Sequence, residues 1–172
     1  FSIGRDDAFS KKMYQRIVKE GHTLGMHSYS HQYKEIYQSM DAFQADYERI
    51  SNCLTAATGI KPLYYRFPGG STEVTEKLQM TDLDAYFNAQ GASYFDWNVI
   101  AANNTTDDVS VNKMVDSVMN GVALYDTSIV LMYDSVDRKM TAKSLDSILD
   151  YLLKNGYEIL PIDENTIPIH HS

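Results

Sequence analysis

Short apolar runs alternate with longer amphipathic segments along almost the whole chain. The first amphipathic segment, residues 8–20, places apolar side chains on one helical stripe and is followed by Gly21, a common helix stop. The most strand-like run is Ser-Ile-Val-Leu-Met-Tyr at residues 128–133. A repeated strand–helix order of this kind is typical of parallel α/β proteins. We therefore predict an α/β fold.

The same periodicity predicts a full series of elements. In chain order these are a helix over residues 8–20, a strand over 22–27, a helix from Asp41 that Gly59 closes, a strand over 63–67, a polar helix from Ser71, a strand over 92–99, a helix over 109–123, a strand over 128–133, a helix over 141–154 and a strand over 157–160. Polar and unusual residues recur at the C-terminal ends of the strands, where barrel-type α/β enzymes build their sites. Because no repeat, linker or change of composition interrupts the chain, we predict one domain over residues 1–172.

The charge balance excludes several classes of partner. The chain has 15 Lys and Arg against 23 Asp and Glu, a formal charge of -8 and a pI near 5.0. It therefore lacks the basic surface that nucleic acids or anionic membranes require. Cys53 is the only cysteine, which excludes an intrachain disulfide and a cysteine-rich zinc site. No apolar run approaches the length of a membrane span.

The sharpest local motif is His27-Ser28-Tyr29-Ser30-His31. Two histidines four residues apart can face the same way on a helical turn, and imidazole is a common ligand of divalent metals. No glutamate stands between them, so a zincin motif is excluded. Two ligands alone do not define a catalytic metal site, which normally has three protein ligands. The alternative is a pair of loop histidines that cap and hydrogen-bond.

Two further motifs stand at predicted strand ends. Residues 65–71 form a strand end, a glycine turn and a helix start, which would bring backbone N–H groups close to a ligand. The alternative is an ordinary turn with Arg66 on the surface. Asp96 could hold Arg66, and Trp97 could form a wall against a sugar, but by themselves these residue types more often form a helix-capping aspartate and a core tryptophan.

The last strand end carries Tyr133 and Asp134 to the same rim. A tyrosine in this position is most often a packed aromatic with a hydrated hydroxyl. His170 and His171, near the end of the chain, are expected to be exposed and unrelated to the site.

The order of these motifs resembles that of the polysaccharide deacetylases, carbohydrate esterase family four. The resemblance covers the chain to about residue 160 and implies a distorted (β/α) barrel. It also implies removal of N-acetyl groups from chitin-like or peptidoglycan glycans, or of O-acetyl groups from xylan. It rests on four motifs in sequence: His27-x-x-x-His31, Arg66-Phe67-Pro68-Gly69, Asp96-Trp97 and Leu131-Met132-Tyr133.

The resemblance implies a divalent metal cofactor, with zinc as the first choice and cobalt or nickel as alternatives. His27 and His31 would be two of its three protein ligands. The turn containing Phe67 and Gly69 would bind the substrate, with the Gly69 N–H helping the metal to stabilise the oxyanion.

The remaining roles implied by the resemblance concern the base and the acetyl group. Arg66 would orient the catalytic base, and Asp96 would hold Arg66. Trp97 and Leu131 would line the pocket for the acetyl group.

Two departures from the family pattern bear on activity. The Thr-Phe-Asp-Asp segment that supplies the base and the third ligand would precede Phe1, so the chain is expected to lack the first strand and helix of the barrel and to come from a longer protein. The family's late Leu-x-His, which supplies the general acid, reads Leu131-Met132-Tyr133 here. A phenol, with a pKa of about 10, is a far weaker acid than imidazolium.

These observations support three hypotheses about function. The first is a metal-dependent hydrolase, acting on carbon–nitrogen bonds other than peptide bonds, that deacetylates cell-wall peptidoglycan N-acetylglucosamine. The second is a non-catalytic glycan-binding pseudoenzyme, which Tyr133 favours. The third is an O-acetyl xylan esterase. The resemblance also implies an acetylated glycan as partner, an extracellular or cell-surface location and a monomer.

Overall fold

The computed structural model describes residues 1–74, 77–102, 109–135 and 138–171. The chain divides into two compact units. The first comprises Phe1–Asp96 together with Pro161–Ser172, and the second comprises Trp97–Leu160. No helix in the described ranges combines the length and the apolar character needed to cross a bilayer.

The elements of the first unit follow the predicted order. They are the helices α1 (Ala8–Lys19), α2 (Tyr33–Ile36), α3 (Met40–Thr58) and α4 (Met80–Gln90), and the strands β1 (Tyr64–Tyr65) and β2 (Ser93–Tyr94). Capping explains where the helices begin and end. The Asp7 carboxylate accepts from Ser10 N–H at the start of α1, and Gly59 ends α3 in the left-handed conformation with φ of 77°.

The strands of the first unit run parallel and lie side by side in chain order. Bridges join Ser2 to Met26 and Met26 to Tyr65, and β1 pairs with β2 in the register Tyr64 to Ser93. The predicted strand over residues 22–27 is therefore reduced to a single bridge position at Met26. Since the strands are parallel, their C-terminal ends lie at one edge.

An aromatic core fixes that edge in place. The rings of Phe43, Tyr47, Tyr65, Phe67 and Phe87 are at most 2% exposed and contact one another at centroid distances of 5.3–6.3 Å. Each such pair adds about 0.5–1.5 kcal/mol to the stabilisation from burial. The backbone that follows β1 is thus anchored from inside the unit.

The second unit has the same strand–helix order. Its elements are β3 (Val99–Ile100), α5 (Val111–Val122), β4 (Val130–Leu131) and α6 (Lys139–Lys154). The strands β3 and β4 are parallel, with Val99 opposite Val130. Helix α5 packs closely on β3, because a Cβ added at Gly121 would lie 2.6 Å from a methyl group of Val99.

Three predicted elements differ from the structure. The helix expected from Ser71 is a single 3₁₀ turn, Ser71–Glu73, and α4 begins only at Met80; residues 75–76 lie outside the described ranges. The strand over 92–99 is divided, since β2 ends at Tyr94 and β3 begins at Val99. Residues 157–160, all of them described, form no strand, and the N–H of Tyr157 donates to Leu152 O in α6.

Candidate functional site

His27 and His31 come together in a loop, and their ring centroids lie 5.0 Å apart. The helical turn expected for this pair does not form. Instead, Ser28 and His31 adopt positive φ angles of 64° and 55°, which reverse the chain over four residues. The Ser28 hydroxyl accepts from His31 N–H at 2.9 Å. Because positive φ is unfavourable for residues other than glycine, such a loop needs support from its surroundings.

Asp46, on α3, supplies that support. Its two carboxylate oxygens accept from the N–H groups of Tyr29 and Ser30 at 2.7 and 2.9 Å. A carboxylate that accepts two backbone N–H groups forms charge-assisted hydrogen bonds, which are about twice as strong as neutral ones. Asp46 was not among the predicted site residues, since nothing in a helical stripe indicates that one polar position reaches a distant loop.

The hydrogen bonding of His27 determines which ring nitrogen is free. His27 Nδ1 lies 2.8 Å from the carbonyl oxygen of Arg66. A carbonyl can only accept, so Nδ1 carries the proton and Nε2 keeps its lone pair. Burial lowers the pKa of His27 to about 4, although the bond to Arg66 acts in the opposite direction. Burial lowers the pKa of His31 as well, so both rings are neutral at neutral pH, the form that binds metals.

The turn after β1 exposes a backbone N–H group. Gly70 N–H donates to Phe67 O at 2.9 Å, and the Tyr37 hydroxyl donates to Pro68 O at 2.8 Å. Gly69 has a φ of +82°, and a Cβ there would collide with Glu73 and lie 3.0 Å from the Tyr33 ring. Among the described residues nothing accepts a hydrogen bond from Gly69 N–H. This group is therefore available to an oxygen of a ligand.

Phe67 lies at the start of this turn, and its side chain points into the core. Its side chain has no exposed surface and packs in the aromatic core. The substrate-binding role predicted for Phe67 does not suit its side chain, because the ring cannot reach a ligand without unpacking that core. It anchors the turn that presents Gly69.

Arg66 and Asp96 are buried beside each other at the ends of β1 and β2. Arg66 Nε donates to Phe95 O at 3.0 Å, and its Nη2 donates to Asp96 O at 3.2 Å. The Asp96 carboxylate accepts from Ser71 N–H at 2.9 Å and from the Ser71 hydroxyl at 2.6 Å. Asp96 thus contacts Arg66 through its main chain, whereas its carboxylate binds the start of the 3₁₀ turn. The Arg66 guanidinium also lies 4.2 Å from the centre of the Phe1 ring.

The end of the chain joins this cluster. His171 N–H donates to the Asp96 carboxylate at 2.8 Å, and the His170 ring stacks on Tyr94 at 3.9 Å. Both histidines are exposed, as expected, but His171 contacts Asp96, which is one of the predicted site residues. The hydrogen bonds from Ser71 and His171 to Asp96 were not predicted, because they depend on contacts between distant parts of the chain.

The other three predicted site residues lie in the second unit. Leu131 is buried in β4, and Trp97 and Tyr133 are half-buried. The Arg138 guanidinium lies 5.9 Å from the centre of the Tyr133 ring. The acetyl-pocket roles of Trp97 and Leu131 stay predictions.

The donor set of the paired histidines fits two ligands of a divalent metal. The rings are neutral, neighbouring and held by Arg66 O and by the loop. In the described ranges no group of three or more histidine, cysteine, aspartate or glutamate side chains is arranged to hold a metal. The pair therefore fits part of a zinc, cobalt or nickel site, for which imidazole ligands are suitable.

The parallel strands of the first unit end in an imidazole pair, a buried arginine and a glycine turn, at the edge of the sheet where α/β enzymes commonly build their sites. The family model for polysaccharide deacetylases matches residues 1–87, about half of the chain. The chain belongs to the polysaccharide deacetylase family. It has the α/β fold of that family's catalytic domains, and the prediction of the fold is confirmed.

Solved structures and curated relatives show the same likeness. The catalytic domain of a peptidoglycan N-acetylglucosamine deacetylase from Eubacterium rectale is 31% identical, with a TM-score of 0.86 over 95% of this chain and 76% of that one. A Streptococcus mutans CE4 esterase is 26% identical, with a TM-score of 0.84 over 95% of this chain and 73% of that one. Peptidoglycan-N-acetylglucosamine deacetylase PgdA of Listeria monocytogenes is 28% identical over 95% of this chain.

Two of the curated relatives are much longer than this chain. The chain spans 32% of the length of the Listeria protein and 55% of that of YheN from Bacillus subtilis.

Proposed function

We propose that the protein is a metal-dependent deacetylase that removes N-acetyl groups from a cell-wall glycan, with peptidoglycan N-acetylglucosamine as the substrate. The observation that carries the proposal is the pairing of His27 and His31, whose rings lie 5.0 Å apart. The hydrogen bond to the Arg66 carbonyl sets the tautomer of His27. The substrate is suggested by the peptidoglycan deacetylases among the relatives.

The described residues suit the steps of amide hydrolysis. His27 and His31 would hold the metal, which when bound supplies Lewis-acid polarisation of the carbonyl and of water. The free N–H of Gly69 is placed to donate to a developing oxyanion, an effect worth about 3 kcal/mol per donor in other enzymes. Arg66, fixed by the carbonyls of Phe95 and Asp96, is positioned to orient a base.

Tyr133 supports a second candidate, a glycan-binding pseudoenzyme. It stands where the family pattern has the histidine acid, and a phenol is by its chemistry a weaker acid than an imidazolium. A CE4 pseudoenzyme from Bacillus anthracis shares the fold, with a TM-score of 0.69 at 20% identity over 90% of this chain. A mutant of that protein is described as having restored enzymatic activity.

O-acetyl xylan is a further substrate class to test. A bifunctional xylanase/deacetylase of Pseudobutyrivibrio xylanivorans is 26% identical over 95% of this chain. The imidazole pair is suited to both ester and amide hydrolysis, because polarisation of the carbonyl serves both.

The first experiment measures acetate release from N-acetylglucosamine oligomers with added zinc or cobalt, using the natural protein that carries this sequence. His27→Ala removes a proposed ligand, and His22→Ala is its matched control, because His22 is an exposed histidine of the same unit. Tyr133→His restores the family's acid. Metal content, measured by elemental analysis, is the readout that does not depend on activity.

The proposal predicts metal-dependent release that His27→Ala abolishes and His22→Ala preserves. Release only from Tyr133→His would favour the pseudoenzyme instead. If the wild type and Tyr133→His both bind metal but neither releases acetate, N-acetylglucosamine oligomers are excluded as substrates. Acetylated xylan would then be tested.

We also propose that the protein acts in an extracellular or cell-surface location, because cell-wall glycans lie outside the cytoplasmic membrane. We further propose that it acts as a monomer. Fractionation of cells and light scattering of the purified protein test these two points.

A further inference from the structure

The C-terminal residues 169–171 lie along the end of β2, on the side of the strand away from β1. Phe95 N–H donates to Tyr65 O at 2.9 Å, whereas the next amide, Asp96 N–H, donates to Ile169 O at 2.8 Å. Successive amides of an extended chain point in opposite directions, so each side of the strand end has its own partner. Residues 169–171 therefore pair with the strand end from the second side.

Two more contacts join this C-terminal segment to the strand end. His171 N–H donates to Asp96 Oδ2 at 2.8 Å. The His170 ring lies nearly parallel to the Tyr94 ring, with 3.9 Å between centroids and 13° between planes. Asp96 is consequently bonded twice to the segment 169–171, through its main chain to Ile169 and through its carboxylate to His171.

The same strand end holds Arg66. The carbonyl oxygens of Phe95 and Asp96 accept from the guanidinium at 3.0 and 3.2 Å, and Arg66 and Asp96 are only 8% and 0% exposed. A shift of Asp96 would therefore move the acceptors that orient the guanidinium.

We infer that residues 169–171 are a positioning element for Arg66 and act on it through Asp96. The inference rests on the proposed function in one respect, that Arg66 belongs to the site. Loss of one donor leaves a buried carboxylate short of hydrogen bonds, and it must move or admit water to recover them. The donor in question is a backbone N–H, so the test must remove a backbone N–H.

His171→Pro removes that donor, because proline has no N–H group. His171→Ala is its matched control, since it removes the imidazole and keeps the N–H. Ile167→Pro is a second control: Ile167 is 79% exposed, and in the described part of the chain its N–H has no hydrogen-bond partner. All three are made in the natural protein that carries this sequence.

The direct readout is solvent exchange of Arg66 Nε–H, measured by ¹⁵N NMR. We expect His171→Pro to accelerate this exchange by about tenfold, the effect of losing one hydrogen bond to a charged group. Ile167→Pro should exchange at the wild-type rate, and His171→Ala, which keeps the N–H, should exchange more slowly than His171→Pro. In the glycan assay, kcat should fall by a similar factor, while KM and zinc affinity stay unchanged. Because NMR needs no turnover, it decides the inference even if the protein proves to be inactive.

A folded His171→Pro protein with wild-type exchange at Arg66 would overturn the inference. If His171→Pro does not fold, the pair His170→Ala and His170→Phe decides it. Alanine removes the ring that stacks on Tyr94 and phenylalanine keeps one. Faster exchange in the alanine variant and wild-type exchange in the phenylalanine variant would support the inference; equal exchange in the two would refute it.

Discussion

At the scale of single residues, burial decides the chemistry of the histidine pair. His27 loses much of its hydration in the folded protein, which lowers its pKa from about 6.5 to about 4. Between these values the unfolded chain binds more protons than the folded one. Folding stability therefore rises with pH through this interval, is complete above about pH 6.5 and is lost as the pH falls toward 4.

This linkage is measurable in the metal-free protein. We predict that the free energy of unfolding decreases by up to about 3 kcal/mol from His27 alone as the pH is lowered from about 6.5 to 4. Urea titrations at several pH values measure it. His27→Gln should flatten the dependence in this interval, whereas His22→Gln, at an exposed position, should not. An equal effect of the two substitutions would contradict the assigned role of burial.

Gly69 provides the second prediction at this scale. Gly69 and Gly91 both have positive φ, but only at Gly69 would a Cβ collide with neighbours. Gly91→Ala should cost about 1–2 kcal/mol through the left-handed backbone alone. Gly69→Ala should cost more, and it should also lower acetate release by displacing the free N–H. Urea unfolding and the glycan assay compare the two. Equal costs would mean that the crowding at Gly69 relaxes freely.

At the scale of elements, helix α3 is what holds the histidine loop. The positive φ angles of Ser28 and His31 are maintained because Asp46 binds the two amides between the histidines. The loop is thus built from one segment and supported by another. Substitution of residues that hold metal ligands in place commonly lowers metal affinity by about 10- to 100-fold.

Asp46→Ala should therefore weaken zinc binding by about tenfold or more. Glu48→Ala is the matched control, because Glu48 is an exposed carboxylate of the same helix. Competition with a chromogenic zinc chelator gives both affinities. Equal zinc affinity in the two variants would show that the loop keeps its shape without the Asp46 carboxylate.

At the scale of the whole molecule, each unit depends on its own core. That of the first unit is aromatic, with Phe43 and Phe67 completely buried, whereas that of the second is aliphatic around Val118. The first core lies beneath the backbone that carries Arg66 and Gly69. Its packing therefore affects the proposed site as well as stability.

Phe43→Ala should destabilise the protein by about 3–5 kcal/mol, as expected when a buried aromatic ring leaves a cavity. Phe9→Ala, at a position 71% exposed, should change stability by less than about 0.5 kcal/mol. Urea unfolding followed by circular dichroism measures both. A small effect of Phe43→Ala would mean that the aromatic core collapses around the gap.

Several features followed from local sequence. Helices α1, α3, α5 and α6 were predicted near their observed bounds, because apolar spacing and caps such as Gly59 are local properties. The motif order also identified the family and the histidine pair. Strand lengths were overestimated, since a strand ends where its partner does, and the partner lies far away in the chain.

The contacts that shape the site were decided only by tertiary structure. Nothing in the sequence marks Asp46, Ser71 or His171 as a hydrogen-bond partner of the predicted site, and each acts through a hydrogen bond to a residue at least 16 positions away. The histidines approach one another through a strained loop, where a helical turn was expected. Sequence spacing determined which residue types are present along the chain. Packing between distant segments determined their tautomers, their pKa values and the directions in which their hydrogen bonds point.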